Sequence, residues 1–123
     1  MVKSIEESVV IAMDGSDKEL FPFLQNVLQD LWEIGTDPDA IIRLISNHFE
    51  KYVDLKVLDL GCGKGAVSVK LSQKLGCTCY GIDAIPEFVE FAQQKAIVFK
   101  VNRLCTFETG DIREKVKHLT GYD

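Results

Sequence analysis

With 46% hydrophobic and 27% charged residues, the 123-residue chain has the make-up of one soluble globular domain, long enough to bury roughly two-thirds of its unfolded surface. Its 19 acidic against 14 basic residues leave a net charge of −5, which argues against a nucleic-acid surface, because phosphate binding needs clustered Lys and Arg. No apolar run approaches the ~20 residues of a membrane span, and Met1 to Ile11 lack the basic-then-apolar plan of a secretion signal. The cysteines, Cys62, Cys77, Cys79 and Cys105, form no C-x-x-C pair and read as reduced thiols of a cytoplasmic protein. Cys77-Thr78-Cys79 reads as buried strand rather than a metal pair, since neither His48 nor His118 is near it, and no metal site is expected.

Met1 to Gly15 carries mixed charge without a sustained period and reads as a mobile or loosely docked arm. Ser16-Asp17-Lys18-Glu19 has the form of a capping box, and Leu20, Phe23, Leu24, Val27, Leu28 and Leu31 follow a helical period. Pro22 fits only the first turn of a helix, so the helix starts either at the box or at Pro22 itself. Trp32, near its end, reads as packing rather than ligand stacking. Gly35-Thr36-Asp37-Pro38 is a stop and restart, with Asp37 as cap and Pro38 at the first helical position. Ile41, Leu44, Ile45, His48, Phe49 and Tyr52 give the second helix an apolar face, on which His48 reads as a packed histidine.

Val57 to Leu60 is a short apolar run of strand type, and Ala66 to Leu75, with Val67, Leu71 and Leu75 on one side, is a helix that Gly76 ends. Between them lies Gly61-Cys62-Gly63-Lys64-Gly65. Alternating glycines at a strand-to-helix turn let a ligand lie on bare main chain, and the helix start adds unpaired N–H groups and partial positive charge. A second strand, Cys77 to Asp83, completes a βαβ unit with parallel strands and a right-handed crossover. A helix from Pro86 to about Phe99 faces inward with Phe88, Phe91, Ala92 and Phe99, and Leu104 to Phe107 is a third strand. Its exit loop is Glu108-Thr109-Gly110-Asp111-Ile112; Arg113 to His118 follows as a short polar helix, and Gly121-Tyr122-Asp123 reads as entry into a fourth strand.

Gly61-Cys62-Gly63-Lys64-Gly65-Ala66, with Asp83 about twenty residues on, satisfies the dinucleotide fingerprint G-x-G-x-x-G/A. A phosphate loop fits less well, because no Ser or Thr follows Lys64. Asp59, two places before the first glycine, discriminates further. A carboxylate there repels a pyrophosphate and attracts a ligand carrying sulfonium and ammonium charges.

Asp59-x-Gly61-x-Gly63-x-Gly65, the acidic strand end Gly81-Ile82-Asp83 and the loop Gly110-Asp111-Ile112 together resemble the first three motifs of the class I S-adenosylmethionine-dependent methyltransferases. The resemblance covers about Val53 to Asp123 and implies a Rossmann-like α/β/α fold cut to about three parallel strands, with residues 1–52 as a helical appendage. It also implies cofactor contacts. Gly61, Cys62, Gly63 and Gly65 would carry the methionine part, with Asp59 toward its ammonium. Asp83, followed by Ala84 and Ile85, would take the ribose hydroxyls. Asp111 would accept from the adenine amino group, with Ile85 and Ile112 against the ring.

The implied reaction is methyl transfer to a small-molecule or protein acceptor. No catalytic residue can be nominated, because the family's acceptor-side residues come from the fourth strand, its loop and later insertions, and the chain reads as a fragment that stops before them. Two other readings stand beside it: a non-catalytic module that holds S-adenosylmethionine or a nucleoside, and a nicotinamide-binding Rossmann domain. Since the family's first strand is central, Val57 to Leu60 would be an apolar sheet edge open to pairing with a second copy, as a homodimer.

Overall fold

The computed structural model describes residues 2–12, 18–23 and 31–123, which divide into two compact units, Met1–Leu31 and Trp32–Asp123. In the first, Ile5–Ala12 forms helix α1 where the sequence suggested a mobile or loosely docked arm without a regular period. A reciprocal cap explains it: Glu7 N–H donates to Ser4 Oγ and Ser4 N–H to Glu7 Oε2, both at 3.2 Å. Two of the orphan amides of the first turn are thereby satisfied. Lys18–Phe23 is a 3₁₀ helix that contains Pro22. The expected capping box at Ser16 and most of the stripe through Leu28 lie outside the described residues.

The second unit is built on a three-stranded parallel sheet of order β1-β2-β3, from Lys56–Leu60, Thr78–Asp83 and Cys105–Thr109. Helix α2 (Pro38–His48) starts as expected: Asp37 caps it by accepting Asp39 N–H at 3.0 Å, and Pro38 takes the first turn. It packs on α3 (Ala66–Leu75), and α3 and α4 (Pro86–Val98) cover one face of the sheet. Val69, Leu71, Cys79, Val89, Ala92 and Phe107 fill the space beneath them. Burying such side chains contributes roughly 1.5–3 kcal/mol for each large aliphatic or aromatic group.

Cys77 and Cys79 lie in this core as expected, and all four cysteines are free thiols. Cys77, Cys79 and Cys105 surround the buried Ser72 hydroxyl, which donates to Cys77 O at 2.9 Å. Among the described residues no group of His, Cys, Asp or Glu is placed to hold a metal ion.

Helix α2 turns Ile41, Ile42 and Ile45 to the core, so Leu44, His48 and Phe49 are exposed. His48 is therefore not a packed histidine. Its ring Nδ1 lies 2.7 Å from Leu44 O, one turn back on the helix. Trp32 packs as read, against the Phe99 ring at 5.1 Å, and its Nε1–H donates to Lys64 O at 3.1 Å.

After β3 come the short helix α5 (Ile112–Lys115) and a 3₁₀ turn, Val116–His118. The residues expected to enter a fourth strand form none, yet they reach the free edge of β1. Asp123 N–H donates to Lys56 O and Lys56 N–H donates to Asp123 Oδ2, both at 2.9 Å.

Candidate functional site

Register brings the chemistry-bearing residues to one end of the sheet. Asp59 lies opposite Gly81, and Gly81 opposite Phe107, while Leu60 pairs with Ile82 and Asp83 with Thr109. All three strands run parallel, so their carboxyl ends and exit loops meet at a single edge, where open α/β sheets take ligands. The loops are laced together there. Gly61 and Cys62 N–H both donate to Ile82 O, at 2.8 and 3.0 Å, and Gly110 N–H donates to Asp83 O at 2.9 Å.

The glycine turn has the backbone its sequence requires. Gly61, Gly63 and Gly65 all have positive φ, and Gly65 is the N-cap of α3. Their surroundings differ. A Cβ at Gly61 would meet nothing within 4 Å, whereas one at Gly65 would stand 2.6 Å from Ala92 Cβ. Gly65 is thus fixed by helix packing and Gly61 faces open space. Gly63 is intermediate, its Cβ direction meeting the Ile34 side chain at 3.2 Å. Ile34 had no signal in the sequence, because it reaches the loop from a segment thirty residues upstream.

Two half-buried carboxylates converge on this turn. Asp83 accepts Gly63 N–H at Oδ2 (2.8 Å) and Ile85 N–H at Oδ1 (3.0 Å), so it ties the glycine loop to the start of α4. Asp59 accepts the Ser68 hydroxyl at Oδ2, 2.7 Å away. Burial raises the proton affinity of both above the ordinary aspartate value. For Asp59 the Ser68 bond works against burial, and the nearby charge of Asp83 adds to it. For Asp83 the amides of Ile85, Gly63 and Ala84 work against burial. Burial, then the charges of Asp59 and Asp83, pushes the Cys62 thiol well up and disfavours its thiolate.

Asp111 stands in the third loop, beside Asp83 through the Gly110 bond, and caps α5 by accepting Arg113 N–H at 2.9 Å. The Arg113 guanidinium closes on the same carboxylate, Nε at 3.0 and 3.1 Å from its two oxygens. That contact holds Asp111 below the usual aspartate range. Asp59, the glycines, Asp83, Ala84 and Ile85 therefore form one contiguous group, with Asp111 and Ile112 on the adjoining loop. Ser68 and Arg113, the side chains that hold two of the three carboxylates, escaped notice in the sequence.

Residues 51–123, more than half of the chain, match the family model described as a methyltransferase domain. The chain belongs to that family. Over 68 residues, 55% of this chain and 24% of its relative, it is 38% identical to YqeM of Bacillus subtilis (strain 168), a methyltransferase by name. Over 69 residues it is 29% identical to the release factor glutamine methyltransferase of Buchnera aphidicola subsp. Baizongia pistaciae (strain Bp), covering 55% of this chain and 25% of that one. The fold is that of a Thiobacillus denitrificans SAM-dependent methyltransferase crystallised with S-adenosyl-L-homocysteine, with a TM-score of 0.62 at 22% identity over 73% of this chain and 36% of that one. The methyltransferase-domain chain spans about a quarter of the length of the curated relatives it matches.

Proposed function

We propose that this methyltransferase domain binds S-adenosylmethionine on the glycine turn and forms the cofactor half of a methyl-transfer enzyme. The observation that carries the reading is the convergence of two half-buried carboxylates, Asp59 and Asp83, on main chain that Gly61 leaves bare. A buried pair of acidic groups favours a ligand with positive charge and hydroxyl donors. S-adenosylmethionine meets both needs and supplies an electrophilic methyl group on sulfur.

In this reading Gly61, Cys62, Gly63 and Gly65 line the methionine part, and Asp59 faces its ammonium. Asp83 accepts from the ribose diol through the lone pairs that Gly63 and Ile85 leave free. Asp111 and Ile112, with Ile85, border the adenine. The chain's contribution to rate is to hold the sulfonium in line with an acceptor, a matter of proximity and orientation.

The cofactor part begins near residue 53, with residues 1–52 as an appendage. The acceptor is a small molecule or a protein, in keeping with the net charge of −5. A cytoplasmic setting agrees with four free thiols, and among the described residues no helix is long and apolar enough to cross a membrane. The free edge of β1 supports pairing with a second copy.

Calorimetric titration with S-adenosyl-L-homocysteine and with NADH tests the reading. The first is expected to bind and the second not; the reverse would establish a nicotinamide site. Asp83→Ala should weaken S-adenosyl-L-homocysteine by about tenfold or more, the loss of a charge-assisted contact. Unchanged affinity would remove Asp83 from the site.

A further inference from the structure

Ser68 is fully buried three residues into α3, where a serine hydroxyl ordinarily turns back to the carbonyl one turn earlier. Here it reaches across to β1 and donates to Asp59 Oδ2 at 2.7 Å. Its own carbonyl is met from the sheet side by the Cys105 thiol at 3.5 Å. The hydroxyl is thus held by helix packing at one end and spent on a single carboxylate oxygen at the other.

We infer that Ser68 is a positioning residue for the cofactor site: by tethering Oδ2 it fixes the Asp59 carboxylate plane and leaves Oδ1 as the oxygen offered to the ligand's ammonium. The inference rests on the cofactor reading above, and adds a residue outside its motifs. Its physical basis is that a carboxylate on one rotatable bond can face several ways, and a bond from a rigid, dry hydroxyl selects one of them. The same bond favours the ionised carboxylate, the form a cation needs. The other titratable groups near Asp59 are Asp83 at the end of β2, Cys62 in the loop and Cys105 on β3. Lys64, also in the loop, extends its ammonium over the Phe88 and Phe91 rings of α4.

The test compares Ser68→Ala, Ser68→Cys and Ser68→Thr in the full 123-residue chain. Two readouts are needed: the carboxyl carbon titration of Asp59 by NMR without ligand, and S-adenosyl-L-homocysteine affinity by calorimetry from pH 4 to 8. Ser68→Ala should raise the Asp59 midpoint by roughly one pH unit and weaken the ligand on the order of tenfold. Ser68→Thr, which keeps the donor, should restore both. Ser68→Cys keeps the volume with a feeble donor and should behave as Ser68→Ala, which covers the case in which the alanine variant does not fold. A lowered melting temperature with an unmoved Asp59 midpoint and unchanged affinity would overturn the assignment and leave Ser68 a packing residue. If the wild-type chain takes up no ligand, the cofactor reading fails, and the ligand-free titration still decides whether Ser68 governs Asp59.

Discussion

Three glycines at the head of the sheet separate backbone strain from lack of space, and alanine at each should cost a different amount. Gly61 has φ +73° with nothing within 4 Å of its Cβ position, so Gly61→Ala incurs only the left-handed penalty, about 1–2 kcal/mol. Gly81 carries no positive φ, yet its Cβ would stand 2.7 Å from Phe107 Cδ1 and 3.0 Å from Cys62 Cβ. Gly81→Ala is therefore overpacking alone, about 1–3 kcal/mol. Gly65 combines both, with φ +79° and Ala92 Cβ only 2.6 Å away. That neighbour is the stub of a buried helical residue and cannot swing aside, so Gly65→Ala should cost about 2–5 kcal/mol, a large fraction of a stability of ~5–15 kcal/mol. Urea unfolding followed by circular dichroism reads the series as shifts in midpoint at constant slope. Phe107→Leu should recover part of the Gly81→Ala loss, because the two side chains compete for one space. Gly61→Ala should also lose S-adenosyl-L-homocysteine binding while staying folded. Should Gly61→Ala prove as damaging to the fold as Gly65→Ala, or Gly65→Ala prove harmless, the division between packing glycine and ligand glycine is wrong.

Burial raises Asp59 above its unfolded value, so its contribution to stability is greatest below about pH 4 and declines as pH rises through the folded pKa. Asp59→Asn, which can still accept from Ser68, should therefore gain on the wild type as pH goes from 4 to 7 in parallel urea melts; a flat difference would mean that Asp59 is not perturbed. Glu108 and Asp111, lowered by Lys115 and Arg113, act in the opposite sense, but both lie at the partly exposed rim and cancel between the two proteins. The edge of β1 carries a second expectation. Bonds from Leu55 O and Gly61 N toward β2 imply by alternation that the main-chain groups of Leu58 and Leu60 face the free edge, and among the described residues Lys56 alone is held there, by Asp123. Light scattering at high concentration should show a dimer, and a monodisperse monomer would refute edge pairing.

How much of this was legible depended on how local each cause was. Helix α3 could be read to the residue, because Gly65 and Gly76, each in the left-handed region, bound it on both sides. Asp37 and Pro38 announced α2 equally well, since a cap and a fixed φ act within one turn. The convergence of Asp59 and Asp83 followed from one inference, that a βαβ unit sets its strand ends on the same edge. Three things were hidden. Helix α1 is too short to show a period, and its signature was the Ser4–Glu7 box rather than an apolar stripe. The core face of α2 turned out to hold Ile42 in place of Leu44, a rotation of the helix that only its contact with α3 decides. The end of α4 uses Lys100 at φ +60°, with Val101 N–H bonded to Ala96 O at 2.8 Å. A glycine there would have advertised the turn, and a lysine does not.

The two carboxylates bear on why this glycine turn should not be read as a pyrophosphate cradle despite matching its pattern. Asp83 already accepts the Gly63 and Ile85 N–H groups, so its negative charge is held against the loop. Asp59 sits behind the same loop with the Ser68 hydroxyl as the partner of its Oδ2. A diphosphate laid on that main chain would add like charge to two groups that burial has already made costly to ionise. At an effective dielectric of about 20, each unit pair at 4 Å costs ~4 kcal/mol. A positively charged ligand reverses the sign of both terms and lowers the pKa of each carboxylate. Protons held at mildly acid pH should then leave as the proposed ligand enters, and the loop's own acidity would favour a cation over a diphosphate.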